Sequence, residues 1–212
     1  MAGIRRNKGT MQSAKTPVTV EDLRAMIVRS PQTLVGARDR VLLLVGFSGA
    51  FRRSELVSLD RESVQFAREG MIVTLRRSKT DQDGTSRKTG IPYGLNSDTC
   101  PVRSLQQWIE QSKINTGALF RPINRHGNIG TKRLSASAVA TIVKKYAKAV
   151  GLDAKDFAGH SLRSGLATAA AGAGASERSI MNQTRHHSLV MVRRYIRDGS
   201  LFRQNAAGGV GL

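Results

Sequence analysis

The sequence has a single cysteine, Cys100, which excludes an intrachain disulfide framework and a multi-cysteine metal site. One thiol of this kind fits a reducing compartment, and Cys100 reads as chemically inert. Acidic residues are scarce: 15 Asp and Glu stand against 34 Lys and Arg, a formal net charge of +19. No cluster of Asp, Glu and His sits at metal-ligand spacing, which argues against a metal-dependent nuclease; no metal and no cofactor are expected. There is no run of 18 apolar residues, and the longest apolar patch, near 41–47, is too short to cross a bilayer. The first 15 residues are basic but lack an apolar core, so they do not read as a signal peptide. No basic amphipathic helix with large apolar anchors is present, which makes an anionic membrane a poor partner. No internal repeat is visible. The expected location is the cytoplasm.

What remains is a folded domain of 212 residues, 40% hydrophobic and 23% charged. A chain of this length buries about two-thirds of the surface its unfolded state exposes. A charge of +19 on such a domain asks for a polyanion. Double-stranded DNA is the first candidate, because phosphates release condensed counterions to basic surfaces.

Thr19, with Asp22 three residues on, predicts a capped helix running to about residue 29 and stopped by Ser30-Pro31. A second helix is expected over about 34–46, and a short one over 52–59. The hydrophobic period then changes. Residues 64–66 and 71–75 read as strands around Glu69-Gly70, and a polar turn at 81–84 leads to a third strand over 88–93. Helices resume at about 101–112, 137–149, 162–171, 177–183 (capped by Ser176) and 189–194. The fold class is mainly α with a small three-stranded antiparallel β-sheet, in one domain over 16–199. A basic flexible arm or linker remnant covers 1–15, and a tail covers 200–212.

Several polar residues stand where packing does not ask for them. His160 and Arg163 are three apart at a helix start, so they share one face beside free backbone N–H groups, a good place for a phosphate. Arg52 and Glu55 are also three apart. His186 is followed nine residues later by Tyr195, which lies among Arg193, Arg194 and Arg197, an odd setting for a buried ring. Tyr146 reads as a core tyrosine, and His126, in a Gly/Asn-rich loop, as surface.

Taken in order, Arg52-x-x-Glu55-Leu56, Lys79 in Ser78-Lys79-Thr80, His160-x-x-Arg163, and His186 with Tyr195 nine residues on resemble the catalytic domain of the tyrosine recombinases. This is the phage-integrase family of site-specific DNA strand-exchange enzymes. The resemblance covers about residues 16–199 and implies the integrase catalytic core fold. It implies Tyr195 as nucleophile, Arg52 and Arg163 as a phosphate clamp, and His160 and His186 as supporting hydrogen bonders. Lys79 becomes the general acid and Glu55 a support for its arginine. Lys88 competes with Lys79 for that role and His187 with His186, where the nine-residue spacing favours His186. Arg53, Arg76, Arg77, Lys88, Arg121, Arg125 and Arg185 are expected DNA-contacting residues.

These residue types suit metal-free phosphodiester exchange. A phenol can attack phosphorus and hold DNA as a 3′-phosphotyrosine ester, which conserves the bond for resealing. Guanidinium forks meet the non-bridging oxygens as they gain charge. The implied activity is recombination or integration, as on a mobile element, by a tetramer on two duplexes through a four-way junction; the protein without DNA would be monomeric. Relaxation by a type IB topoisomerase-like enzyme and a non-catalytic DNA-binding module are the alternatives. Two departures from the family pattern stand out. Arg185 occupies the position before the last histidine, where many members have glycine. Residues 1–16 leave no room for the usual N-terminal DNA-clamping domain, so a fragment, an excised domain or a reduced member is expected. Leu201 and Phe202 in the tail could pack on a neighbouring protomer; a frayed terminus is the alternative.

Overall fold

The computed structural model describes residues 15–75, 86–185 and 189–199. Residues 1–14 of the expected arm at 1–15, the turn at 81–84 and the tail at 200–212 lie outside them. The described residues form α1 (Val20–Val28), α2 (Leu34–Ser48), α3 (Arg53–Ser58), β1 (Val64–Ala67), β2 (Gly70–Leu75), β3 (Arg87–Pro92), α4 (Pro101–Ser112), α5 (Ala136–Ala149), α6 (Ser161–Gly172), α7 (Glu177–Thr184) and α8 (Leu189–Gly199).

The local signals act as the sequence suggests. The Thr19 hydroxyl accepts from Asp22 N at 3.0 Å, and Thr19 N donates to the Asp22 carboxylate at 3.1 Å, closing a capping box on α1. Ser176 caps α7 by accepting from Ser179 N. The three strands pair antiparallel in the order β1-β2-β3, with Val64 opposite Val73 and Val73 opposite Thr89.

Helix α2 is the centre of the molecule. Val41 to Val45 are all buried, so this stretch is apolar on every face, and α2 packs against α1, α3, α4, α5 and α6. Each such side chain contributes about 1.5–3 kcal/mol when fully buried. Two polar anchors fix its neighbours. The Trp108 indole of α4 donates to Leu119 O at 3.0 Å. The buried Asp39 carboxylate of α2 accepts from Arg38, from Lys145 and from the Tyr146 hydroxyl, the last two at 3.1 Å. Tyr146 is thus a core tyrosine with a satisfied hydroxyl.

A second, smaller cluster joins Ala167 and Ala171 of α6, Ile180 of α7, and Val192 and Tyr195 of α8. The close face on α6 needs small residues. A Cβ on Gly165 would fall 2.2 Å from Val18 O and 2.9 Å from the Phe47 ring. Gly165→Ala is therefore expected to lower stability by about 1–3 kcal/mol, measured by urea unfolding. An unchanged midpoint would mean that the Val18 backbone does not hold this position.

Candidate active site

The site begins where α2 ends. Ala50 N donates to Phe47 O at 3.0 Å and Phe51 N to Gly46 O at 3.3 Å, the two bonds of a Schellman turn. Its left-handed position, φ 48°, is held by Ala50 rather than glycine. This turn points the Ala50 carbonyl inward, where it accepts from Arg163 Nη1 at 2.7 Å. Two residues on, Arg52 is the N-cap of α3. Glu55 accepts from both ends of it, from the backbone N at 2.8 Å and from the guanidinium at 2.7 Å. One turn therefore sets both arginines, and Glu55 holds Arg52 in place.

From the other side comes the start of α6. His160 is its N-cap, and Arg163 lies one turn inside. Arg163 is only 2% exposed. Its Nη1 is satisfied by Ala50, but Nε and Nη2 are buried with no acceptor among the described residues. Burial and the Arg52 cation push its guanidinium down to about 10, with Glu55 and Tyr195 opposing. A buried cation with two unsatisfied donors is a receptor for an oxyanion.

Tyr195 comes from α8 and is 8% exposed. Its hydroxyl lies 3.4 Å from His160 Nε2. Burial raises the phenol above its ordinary value, against the pull of Arg163 and Arg194. His160 keeps an edge in solvent. Desolvation of the rest of the ring, then the Arg163 and Arg52 cations, lower its imidazole below the ordinary value. A neutral imidazole thus faces a protonated phenol beside the Arg163 guanidinium, which places His160 to accept a hydrogen bond from Tyr195, while both shifts oppose full proton transfer in the free site. No group of three or more His, Cys, Asp or Glu that could hold a metal occurs among the described residues.

The phage integrase family model matches residues 18–200 of this sequence. The chain belongs to the phage integrase family. It is 44% identical over 207 residues to an integrase/recombinase xerD homolog of Selenomonas ruminantium, covering 97% of this chain and 61% of that protein. It is 29% identical over 165 residues to the tyrosine recombinase XerC of Syntrophus aciditrophicus, covering 78% of this chain and 50% of that one. The chain therefore spans only about half to three-fifths of these relatives' length. Among solved structures, the XerH site-specific recombinase bound to a palindromic difH substrate superposes with a TM-score of 0.71 at 17% identity, over 95% of this chain and 56% of that one. The fold is that of the phage integrase catalytic core, mostly helical with one three-stranded antiparallel sheet.

Four of the six expected catalytic residues of this phage integrase family member, Arg52, His160, Arg163 and Tyr195, converge, with Glu55 on Arg52. Lys79 and His186 lie outside the described residues, as do Arg76, Arg77 and His187. The remaining basic candidates differ in setting. Lys88 on β3, Arg53 and Arg125 are exposed. Arg121 turns its guanidinium back onto Ala118 O and Thr116 O. Arg185 bonds to Thr89 Oγ1 and lies over the Phe51 ring. Two contributors escape sequence reasoning. Ala50 acts through its carbonyl, which no side-chain pattern reveals. Arg133 donates to Val57 O at 2.7 Å and pairs with Asp60 at 2.6 Å, clamping the end of α3 whose start carries Arg52.

No helix among the described residues is long and apolar enough to cross a membrane.

Proposed function

We propose that this chain is the catalytic unit of a site-specific DNA recombinase or integrase that cleaves and rejoins strands without metal or cofactor. The observation that carries the proposal is that the Tyr195 hydroxyl lies against His160 and beside Arg163, whose Nε and Nη2 are buried without an acceptor among the described residues. The scissile phosphate sits on Arg163 and Arg52, its non-bridging oxygens taking the guanidinium N–H groups. His160 accepts the phenolic proton as Tyr195 Oη attacks phosphorus. The bond to the 5′ oxygen breaks, and that oxygen leaves as a hydroxyl with a proton from Lys79. His186 donates to a non-bridging oxygen. The product is a 3′-phosphotyrosine, and attack by a 5′-hydroxyl of another duplex reverses the step.

The partner is double-stranded DNA, and exchange between two duplexes calls for a tetramer in synapsis through a four-way junction. The relatives' names, recombinase and integrase, favour exchange over type IB relaxation. Residues 16–199 are the catalytic unit, 1–15 a basic arm, and 200–212 a tail for contact between protomers. The cytoplasm is the proposed location.

The test is covalent trapping. The protein is incubated with nicked duplexes of varied sequence and resolved under denaturing conditions, where a slow protein–DNA band is expected. A non-covalent complex with no such band on any sequence would favour a DNA-binding module instead.

The site also sets a pH dependence. A lowered imidazole stays neutral at pH 7 and loses its role as acceptor only when protonated. Single-turnover cleavage should fall on acidification with a midpoint below 6.5, the ordinary imidazole value. His160→Gln should remove that acid limb and lower the plateau by about 10²–10⁴-fold. An unchanged acid limb in the variant would assign it to another group.

A further inference from the structure

The turn that ends α2 is held from outside by two side chains. Its own N–H groups, from Gly49, Ala50 and Phe51, take the carbonyls of Val45, Phe47 and Gly46. Two further carbonyls take donors from other helices. Ala50 O accepts from Arg163 Nη1 of α6 at 2.7 Å, and Ser48 O accepts from Gln183 Nε2 of α7 at 2.8 Å. The turn has little slack, since a Cβ on Gly49 would fall 2.1 Å from the Phe51 ring. It leads straight into Arg52.

Gln183 also reaches the sheet. Its Nε2 lies 3.4 Å from Gly90 O on β3, an edge strand. One amide thus spans α7, the end of α2 and the sheet edge. Packing does not set the spacing of these elements. A cavity of about 540 Å³ opens among them, lined by Leu44, Phe47, Ile91, Ile180 and Gln183 itself. Where side chains do not interdigitate, a directed hydrogen bond is what fixes a distance. Arg185 lies over the Phe51 ring nearby, a contact to a side chain rather than to the backbone of the turn.

The two arginines of the clamp are held unequally. Arg163 is 2% exposed and fixed on Ala50 O. The Arg52 side chain is 46% exposed and hangs from the far end of the turn, with Glu55 moving as part of the same short helix. A shift at Ser48 therefore carries Arg52 against a stationary Arg163. We infer that Gln183 is a positioning residue for Arg52: through Ser48 O it sets where the exposed half of the phosphate clamp stands relative to the buried half. This inference rests on the recombinase reading above.

The test is a double-mutant cycle. Wild type, Gln183→Met, Gln183→Asn, Arg52→Ala and the Arg52→Ala/Gln183→Met double variant are compared in single-turnover cleavage of a nicked duplex at saturating protein. Methionine matches the length of glutamine without its donor; asparagine keeps the amide but falls one methylene short. Both Gln183 variants are expected to slow by about 10–100-fold at saturation, with the DNA Kd within about twofold of wild type. In the Arg52→Ala background the Gln183→Met change should cost no more than about twofold, because no Arg52 is left to place. An unchanged rate in Gln183→Met, or an equal loss in both backgrounds, would overturn the inference. Amide hydrogen exchange of the free protein gives a reading that needs no chemistry. Exchange at Ala50 and Phe51 should quicken about tenfold in Gln183→Met while α5 keeps its protection. Unchanged exchange at the turn, or quickening throughout the domain, would make Gln183 something other than a local positioner. If wild type forms no Tyr195 adduct on any duplex, the recombinase reading itself fails, and exchange at 50–51 still decides whether Gln183 holds the turn.

Discussion

Tyr195→Phe should abolish the covalent protein–DNA band while leaving DNA affinity within about twofold of wild type. The change removes one oxygen. Among the described residues it is the only phenolic oxygen that faces a histidine and a guanidinium with unsatisfied donors. The Tyr146 hydroxyl is spent on Asp39 at 3.1 Å, and Tyr93 lies under the Arg103 guanidinium, 5.2 Å from its ring centroid. The phenyl ring of the variant still fills the small cluster with Ala167, Ala171, Ile180 and Val192. The lost contact to His160 is long at 3.4 Å, so stability should change by no more than about 1 kcal/mol. Denaturing gels and thermal unfolding check both halves. A band that survives the substitution would move the nucleophile elsewhere.

The second large effect is expected at Arg163. Arg163→Met should reduce cleavage by about 10²–10³-fold or more, the scale of losing one oxyanion donor. The same change should leave the free protein at least as stable. The reason is in the depressed guanidinium, held down to about 10 from 12.5 in the fold. Below pH 10 both the folded and unfolded states carry the proton, so the folded state bears the full cost of the buried charge, about 3 kcal/mol. Removing the charge recovers that cost, offset by about 1–3 kcal/mol for leaving Ala50 O without its donor. Unfolding in urea without DNA should therefore show an equal or higher midpoint for Arg163→Met. A marked drop would mean that Arg163 is a structural cation rather than one strained for function. Arg163→Lys separates the parts: one ammonium cannot both bond Ala50 O and offer a fork, so cleavage should stay low.

Much of this fold was legible because its local signals are strong. The Thr19–Asp22 capping box, the change to strand period at 64–75 and the Ser176 cap depend on near neighbours, and the chain follows them. The spacing of His160 with Arg163 alone puts two polar groups on one helix face. Other features were not legible, for reasons of the same physics. Helix α2 runs to Ser48, two residues past expectation, because a helix apolar on all faces carries no periodic signal for its end. The turn that stops it uses Ala50 in a conformation that sequence assigns to glycine. Arg52 falls outside the short helix it was expected to start, as its N-cap, because Glu55 supplies the capping acceptor. Helix α8 runs to Gly199 rather than 194, since Tyr195 packs with Val192 on the face toward α6, and a run of arginines hides that face in the sequence. Gln183 and Arg133 bond to backbone carbonyls far along the chain, a relation no spacing encodes.

The N-terminal edge of the described chain is tied to the start of α6. Thr16 N donates to Asp156 O at 2.8 Å and Val18 N to Ser161 O at 3.0 Å, and Val18 O presses on Gly165. Residues 16–18 therefore bridge Asp156 and the first turn of α6. The two acceptors, Asp156 and Ser161, stand on either side of His160 in the sequence. A displacement of residues 16–18 is therefore expected to loosen the start of α6, where His160 and Arg163 stand.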